Sequence, residues 1–379
     1  MRKTGILRLC FLVCVCAVFF GMNVSAAGTV AKIGSKKYSS LQAAVNKVKQ
    51  GQTIKLQKDL KVQPKTLRDS VFTVNRKVSF TLDLNKHTLT CVGTYARIYI
   101  NKGFVTIKNG TMKRVNNSRY SGGGQIFVEK GAKLEIKSGT YRNMEVINNG
   151  GTVNISGGTY LLTENFGFTN AGGKMTFSGA KVTSSSVCDA IANQESWDDQ
   201  KSVLYIKSGT FTTTRKSNTG GNRFLSNKGT VVITGGTFTS TKGTCLLANG
   251  GTMTIKKVTC INSGGGSCIA CYNGNYAKLT IEGGTFTSYH KGGLTDSDLT
   301  VYGCGTVNIS GGRFTAYGGP NKGSVDWSPP YALGCSSGTK LTITGGKFLC
   351  PNKPAGWANV RLYSGCTDVK CTVDSVIML

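Results

Sequence analysis

Short stretches in which apolar and polar residues alternate recur along most of the chain. In each stretch, apolar residues separated by Thr, Lys, Asn or Ser precede a bend that usually contains Gly, and an aromatic residue usually follows the bend. A period of two predicts a β-strand with one buried face. Ten such units align on one apolar residue each, the marker residues: Ile107, Ile136, Ile155, Phe177, Ile206, Ile233, Ile255, Ile281, Ile309 and Ile343.

Two kinds of turn residue separate the predicted strands. A Gly-Gly or Ser-Gly pair follows most marker residues, and Gly accepts the positive φ that a sharp bend requires. A second short strand, upstream of the marker strand, ends in Asn in five units. Asn tolerates left-handed backbone and bonds to local backbone, so we expect it at a second corner. These asparagines are Asn148, Asn170, Asn193, Asn227 and Asn249.

Together these signals predict an all-β fold, a parallel β-helix with about ten or more coils of three strands each. Stacked coils share hydrogen bonds and one continuous core, so no unit is stable alone. A β-propeller is the alternative, but its blades need about 40–45 residues of antiparallel strand. Marker residues only 19 to 34 positions apart favour the β-helix.

The segment before the first coils has a different pattern. Ser39 and Ser40 can begin a short helix whose apolar residues share one face, and Gly51 can end it. Such a helix would cover the first open edge of the solenoid. We therefore predict an N-terminal cap over residues 27–52 and a parallel β-helix over residues 53–379. The helix face consists of Leu41, Ala44, Val45 and Val48.

The first 26 residues have the three parts of a signal peptide. Arg2 and Lys3 precede an apolar run over residues 9–20, and small residues follow at 25–27. The apolar run is shorter than the span of about 20 residues that crosses a membrane. We expect cleavage near Ala26 and a secreted or cell-wall-associated protein with no transmembrane span after cleavage.

The chain is strongly basic, with 46 Lys and Arg against 17 Asp and Glu and a formal net charge of +29. Loss of the predicted leader, which holds Arg2, Lys3 and Arg8, leaves about +26. This charge predicts attraction to polyanions. For an exported protein, an anionic polysaccharide or cell-wall polymer is the expected partner, and no specific nucleic acid is expected. The alternative is that the charge only keeps the solenoid soluble.

Two stretches near the N-terminus resemble the start of pectate-lyase-like right-handed parallel β-helices. They are residues 38–56, with Tyr-Ser-Ser-Leu-Gln-Ala-Ala-Val and Gly-Gln-Thr-Ile-Lys-Leu, and residues 82–89, Leu-Asp-Leu-Asn-Lys-His-Thr-Leu. The repeats of the type Ile-Thr-Gly-Gly-Thr-Phe also resemble secreted and surface β-helix proteins of Gram-positive bacteria. The resemblance covers roughly residues 30–350 and implies a right-handed coil. It is weak for activity, because this fold hosts lyases, hydrolases, adhesins and inert spacers.

The resemblance implies an acidic polysaccharide as substrate if the protein is an enzyme. Hydrolases of this type place Asp in Asn-x-Asp and Asp-Asp motifs near Gly-His-Gly and Arg-x-Lys, and of these motifs the chain has only Asp198-Asp199. Paired carboxylates suit glycoside cleavage, but adjacent loop residues usually point apart. A lyase would need calcium ligands, which only a cluster of Asp189, Glu195, Asp198 and Asp199 could begin to supply. Calcium is therefore expected only under the lyase alternative, and no other metal or cofactor is predicted.

Eight lysines are the predicted binding residues, because they share the outward side of the marker strands. One set follows the marker residue, and the other lies three positions before it. Stacked coils would align them into a basic, hydroxyl-rich surface suited to a long polyanion. The alternative is ordinary solvated surface in which Lys prevents aggregation. The two sets are Lys108, Lys137, Lys207 and Lys256, and Lys133, Lys174, Lys278 and Lys340.

Eleven of the 14 cysteines follow the predicted leader. Cys268-Ile-Ala-Cys271 has the spacing of a redox motif, but on a strand residues three apart are expected to point to opposite faces. Cys245 and Cys268 occupy similar places in successive units. They could stack as thiols or form a bridge, because strands about 4.8 Å apart allow disulfide geometry.

These patterns favour a non-catalytic, adhesin-like protein that presents a basic face to an anionic glycan. A polysaccharide lyase or glycoside hydrolase with its site near Asp189, Asp198 and Asp199 is the alternative. The last residues, Val376-Ile-Met-Leu379, provide no obvious polar cap. A partner at the C-terminal end of the solenoid is therefore also expected.

Overall fold

The structure is a computed structural model, and the regular secondary structure of its described part is almost entirely β-strand. The single helix in this part, α1, spans Leu41–Lys47. No helix among the described residues is long and apolar enough to cross a membrane. The described residues are 28–64, 66, 70–93, 96–115, 124–164, 167–194, 201–215, 223–242, 245–264, 266–272, 276–289, 299–317, 331–351, 358–362, 366–370 and 376–378.

The strands, in chain order, are β1 (Ala31–Ile33), β2 (Lys36–Tyr38), β3 (Thr53–Leu56), β4 (Leu60–Val62), β5 (Phe72–Val74), β6 (Ser79–Asp83), β7 (Thr88–Val92), β8 (Ile98–Ile100), β9 (Phe104–Lys108), β10 (Thr111–Val115), β11 (Gln125–Glu129), β12 (Lys133–Ile136), β13 (Thr140–Arg142), β14 (Glu145–Asn149), β15 (Thr152–Ile155), β16 (Thr159–Leu162), β17 (Phe168–Ala171), β18 (Lys174–Ser184), β19 (Ile191–Gln194), β20 (Val203–Thr213), β21 (Arg223–Asn227), β22 (Thr230–Ile233), β23 (Thr237–Ser240), β24 (Cys245–Asn249), β25 (Thr252–Ile255), β26 (Thr259–Asn262), β27 (Ile269–Cys271), β28 (Lys278–Ile281), β29 (Thr285–Tyr289), β30 (Leu299–Gly303), β31 (Thr306–Ile309), β32 (Arg313–Tyr317), β33 (Tyr331–Cys335), β34 (Lys340–Ile343), β35 (Lys347–Leu349), β36 (Val360–Leu362), β37 (Thr367–Lys370) and β38 (Val376–Met378).

Three kinds of strand follow one another in most coils, and each kind pairs in parallel with its counterpart in the next coil. In two coils the first two kinds are joined in one strand of 11 residues, β18 and β20. Strands with a marker residue, such as β12 and β15, form the marker face. Strands that follow the bend, such as β13 and β16, form the aromatic face. The third kind forms a 13-stranded sheet, the ladder face, ordered β5, β8, β11, β14, β17, β19, β21, β24, β27, β30, β33, β36 and β38. The predicted parallel β-helix is thus confirmed.

The predicted alignment of the ten marker residues is also confirmed. Each is the register partner of the next, from the pair Ile107 and Ile136 to the pair Ile309 and Ile343. All ten are buried. Their alternating neighbours point outward, so the period of two in the sequence becomes one stacked column inside the solenoid.

The Gly bend works as predicted. Gly158 has a φ of 94° and Gly236 a φ of 107°, in the region that residues with a Cβ resist. The aromatic residue after the bend points inward and stacks on its neighbour in the next coil. Tyr141 and Tyr160 have ring centroids 4.8 Å apart. These stacks fill the interior behind the aromatic face.

The asparagines occupy the predicted second corner. The predicted bonds to local backbone are present at Asn170, which donates to the backbone oxygen of Gly173, and at Asn249, which accepts from the amide of Gly251. The predicted left-handed backbone was wrong. None of the five has a positive φ. All are fully buried, and their side chains point inward in one column. Each amide Nδ2 donates to the Oδ1 of the next Asn, at 2.7 Å from Asn148 to Asn170 and 2.8 Å in the three later steps. This asparagine ladder satisfies polar groups across five coils.

The N-terminal end departs from the parallel pattern. Strand β1 pairs antiparallel with both β2 and β3. Ser40 caps the N-terminus of α1, and its Oγ accepts a hydrogen bond from the amide of Ala43 at 3.1 Å. The helix ends at Lys47, before the predicted Gly51. The apolar residues predicted for its inner face are buried, and α1 packs against β1, β2 and β5. Three antiparallel strands and one helix therefore precede the regular coils.

Candidate functional site

Four of the predicted lysines form one exposed row on the outer side of the marker face. The row is not continuous in charge. Thr152 lies between Lys133 and Lys174, and one uncharged residue lies between Lys278 and Lys340. Three uncharged residues separate Lys174 from Lys278. The row is therefore basic only at intervals of two to four coils.

The other four predicted lysines also lie on the marker face, each directly after a marker residue. They are Lys108, Lys137, Lys207 and Lys256. Three of them have a carboxylate within ion-pair distance: Asp83 at 3.9 Å from Lys108, Glu135 at 3.5 Å from Lys137, and Glu282 at 3.7 Å from Lys256. Exposed pairs of this kind contribute little to stability, but they reduce the positive potential of this row.

The strongest concentration of charge lies elsewhere, at the N-terminal end. Residues 28–115 contain 18 Lys and Arg against three acidic residues, a net charge of +15. Residues 116–379 contain 25 basic and 14 acidic residues, a net charge of only +11 over three times the length. Counting charge by segment would have revealed this asymmetry from the sequence. The first coils therefore carry most of the positive potential after the predicted leader.

A row of three lysines crosses the outer side of these first strands. Lys32 in β1 is the register partner of Lys37 in β2 on one side and of Lys55 in β3 on the other. Directly opposed residues in antiparallel strands have Cβ atoms about 5 Å apart. Among the described residues, no carboxylate forms an ion pair with any of the three. This lysine row was not predicted, because it depends on pairing between strands of unknown order.

The lysine row borders an open cleft of about 360 Å³. Two of its lysines line the cleft together with hydroxyl and amide side chains, which suits an anionic ligand that also accepts and donates hydrogen bonds. Beyond Lys55 the row continues through Asp83 to Lys108. The lining residues are Lys32, Gly34, Thr53, Lys55, Gln57 and Asn85.

A larger depression of about 570 Å³ lies between α1 and β5. Its one charged lining residue is Arg76, whose guanidinium donates to the backbone oxygens of Val45, at 2.6 Å, and Val48. Those contacts join Arg76 to the C-terminal end of α1. The depression is therefore a junction between helix and coil, and its arginine is already engaged.

Asp189, the one described member of the predicted acidic cluster, lies just before β19. Its carboxylate accepts a hydrogen bond from the backbone amide of Arg223 at 3.0 Å. Burial raises the pKa of Asp189, opposed in part by hydrogen bonds from Arg223 and Ser226 and by the charge of Arg223. The remaining predicted members, Glu195, Asp198 and Asp199, lie outside the described residues.

Another carboxyl, Glu145, lies on the same edge of the ladder face, is more deeply buried than Asp189, and was not predicted. It is the first residue of β14 and is 7% exposed. It accepts hydrogen bonds from Gln125 Nε2 at 2.8 Å and from Thr169 Oγ1 at 3.4 Å. Burial is the main reason that its pKa is raised. Glu145 begins a strand, as many surface residues do, so its sequence position alone does not reveal its burial.

The described residues contain no group of three or more His, Cys, Asp or Glu side chains arranged to hold a metal ion. The second acidic pair of the sequence, Asp296 and Asp298, lies outside the described part of the chain. For Cys268 and Cys271 the prediction of opposite faces was wrong, because both are buried. Cys268 precedes β27 and turns inward, where its Sγ lies 3.3 Å from the backbone oxygen of Thr287.

Comparison with known proteins does not identify the chain, since no protein family, no curated protein and no solved structure matches it. The fold itself is a parallel β-helix, and such a fold supports many unrelated functions. A function must therefore be argued from the surface features described above.

Proposed function

We propose that the protein is a non-catalytic, secreted or cell-wall-associated β-helix that binds linear anionic glycans, in the manner of an adhesin. The observation that carries this proposal is the lysine row of Lys37, Lys32 and Lys55. Like charges directly opposed across strands are destabilising. A surface that keeps three of them together, beside an open cleft, is suited to a polyanion that neutralises them.

The form of the surface supports a linear ligand. Beyond the lysine row, the line of register partners continues past Asp83 to Lys108 and Lys137. The whole line crosses six consecutive strands. At about 4.8 Å between neighbouring strands, this line of six residues is roughly 24 Å long. A polymer with a negative charge on each sugar or phosphate unit could contact several of these lysines at once. Many weak contacts of this kind are strongly salt-dependent.

The marker-face lysines predicted from the sequence have a secondary part in this proposal. Lys133, Lys174, Lys278 and Lys340 are exposed, but uncharged residues separate them. They extend the basic surface along the solenoid for a long polymer. The N-terminal lysine row supplies the strongest local field, and the more distant lysines add weaker contacts.

A polysaccharide lyase or hydrolase is the second candidate function, favoured by the two carboxyls with raised pKa values, Asp189 and Glu145. Groups of this kind occur at catalytic sites and also in structural networks. Their hydrogen bonds to Arg223, Gln125 and Thr169 are consistent with a structural role. The non-catalytic proposal is therefore the stronger of the two.

One experiment tests both functions. The purified protein is passed over an immobilised polyuronate, a sulfated glycosaminoglycan, a teichoic acid and a neutral glucan, and eluted with a salt gradient. Retention on the acidic polymers alone, lost as salt increases, supports the proposal. Equal retention on the neutral glucan, or no retention at low salt, contradicts it. New reducing ends or unsaturated uronate in the same mixtures, with or without calcium, would favour the enzyme instead.

A further inference from the structure

The corner occupied by the asparagine ladder changes its chemistry after Asn249. The register partner of Asn249 in the next coil is Cys271, the last residue of β27. Three further cysteines occupy this corner, between the ladder face and the marker face of the following coils: Cys304 before β31, Cys335 at the end of β33, and Cys366 before β37. Four consecutive coils therefore each contribute one cysteine to the same corner.

The side chains of these cysteines lie close together. Cys271 aligns with Gly303, the residue before Cys304, and interaction with the Cys304 side chain raises the pKa of Cys271. A Cβ atom added to Gly303 would lie 2.9 Å from the Sγ of Cys335, so this sulfur packs directly against Gly303. The Sγ of Cys366 lies 3.5 Å from the backbone oxygen of Ser336, next to Cys335. Each sulfur thus neighbours the cysteine of an adjacent coil.

Strand spacing brings these neighbours close to disulfide distance. Register partners in paired strands have Cα atoms about 4.8 Å apart, and disulfides require roughly 4.4–6.8 Å. The cysteines are offset from direct register, and Cys366 follows Leu362, the register partner of Cys335, by four residues. Gly303 and Cys335 are register partners, and Ala270 is the partner of Tyr302, which aligns Cys271 with the residue before Cys304. The lack of a side chain at Gly303 leaves space for sulfur between the coils.

We propose that Cys271 and Cys304, and likewise Cys335 and Cys366, form disulfides that join adjacent coils of the C-terminal part of the solenoid. The interaction of Cys271 with the Cys304 side chain selects the first pair, and the second pair follows from the two cysteines that remain in the corner. This assignment does not depend on the proposed glycan-binding function.

Each closure forms one S–S bond, releases two protons and transfers two electrons. The acceptor is a disulfide-bearing oxidant, either an exported oxidoreductase or an oxidised small thiol, which is reduced to two thiols. The reaction starts from an accessible thiolate. In the folded coils Cys271 and Cys335 are buried, out of reach of an oxidant. The neighbouring Cys304 and burial raise the pKa of Cys271, and burial raises the pKa of Cys335. We therefore infer that the bonds form while the chain folds, before the coils stack.

The test is to refold the full chain with oxidised and reduced glutathione and to map its peptides without reduction. Linked peptides containing Cys271 with Cys304 and Cys335 with Cys366 are the expected result. A fully reduced chain, or a Cys304–Cys335 link in place of these pairs, would overturn the assignment. Because the mapping uses the unmodified sequence, it does not depend on whether any variant folds.

A matched pair of variants tests the consequence for stability. Cys304→Ser removes a proposed bond, whereas Cys91→Ser changes a cysteine that is equally buried but lies in β7, far from the corner. After oxidative refolding, Cys304→Ser is expected to lower the thermal midpoint by about 5 °C or more relative to Cys91→Ser. Under reducing conditions the two variants should differ little. An equal difference under both conditions would contradict the proposal.

Discussion

The side-chain amide of Gln42 forms two hydrogen bonds with the backbone of Thr73. Gln42 Oε1 accepts from the amide of Thr73 at 2.8 Å, and Gln42 Nε2 donates to the carbonyl oxygen of Thr73 at 3.1 Å. Thr73 is the central residue of β5, the first strand of the ladder face. One side chain of α1 therefore bonds to both the N–H and the C=O of Thr73. In a regular coil, these two groups would bond to a strand of the preceding coil.

Replacement of Gln42 by Ala is expected to weaken the N-terminal end of the solenoid. It leaves two backbone groups of an edge strand without their partner, at a cost of about 1–2 kcal/mol in the free energy of unfolding. Urea unfolding measures the change, and light scattering should show increased self-association. Asn46→Ala, which removes only a side-chain contact of Gln42, should cost less. Equal costs for the two variants would contradict this role of Gln42.

The asparagine ladder predicts a difference between its centre and its first member. Asn193 accepts from Asn170 and donates to Asn227, so Asn193→Ala breaks two steps in a fully buried column. We expect a loss of about 2–4 kcal/mol in unfolding free energy. Asn148→Ala should cost less, because Asn148 Oδ1 has no hydrogen-bond partner in the described structure. Equal losses in urea unfolding would show that the ladder is not cooperative.

The lysine row predicts opposite effects on stability and on binding. Lys32→Gln separates Lys37 from Lys55, so at low salt it should stabilise the protein without ligand by about 0.5 kcal/mol. The same variant should elute from an acidic polysaccharide at lower salt, and its stabilising effect should vanish at high salt.

Lys278→Gln is the control for this experiment, because the register neighbours of Lys278 are Thr252 and Thr306. It removes the same charge from an isolated position, so it should not stabilise the protein. Equal loss of retention in the two variants would mean that binding depends on total charge and not on the lysine row.

Glu145 predicts how stability changes with pH. Its pKa is higher in the folded protein than in the unfolded chain, where it is about 4.3. The contribution of Glu145 to the free energy of unfolding is fully present below the pKa of the unfolded chain. It is lost as the pH rises through the pKa of the folded protein. Glu145→Gln keeps the shape and cannot ionise, so it should stabilise the protein at neutral pH and change little at about pH 4. Thermal midpoints over this range measure it, with exposed Glu282→Gln as the control. A loss of stability at pH 7 would show that the carboxylate is needed in its charged form.

Much of the fold could be predicted from local patterns. Alternation around Ile107 and Ile155 indicates strands with one inner face, and Gly158 marks the bend, because these preferences belong to the residues themselves. The asparagines lie at the predicted corner, but their contacts with one another were not predicted. Asn170 points inward and bonds to Asn148 and Asn193, and partners more than 20 positions away cannot be inferred from turn preferences.

The repeating strand, the bend and the order of the coils follow from the short-range period of apolar residues and glycines, so they can be inferred from the sequence. Which charges meet depends on how the strands pair in the folded protein. Lys32, Lys37 and Lys55 form one row because β1 lies between β2 and β3. Likewise, Glu145 is buried against Gln125 because their coils stack in register. Contacts across strands depend on the alignment of coils, and no local pattern contains that alignment.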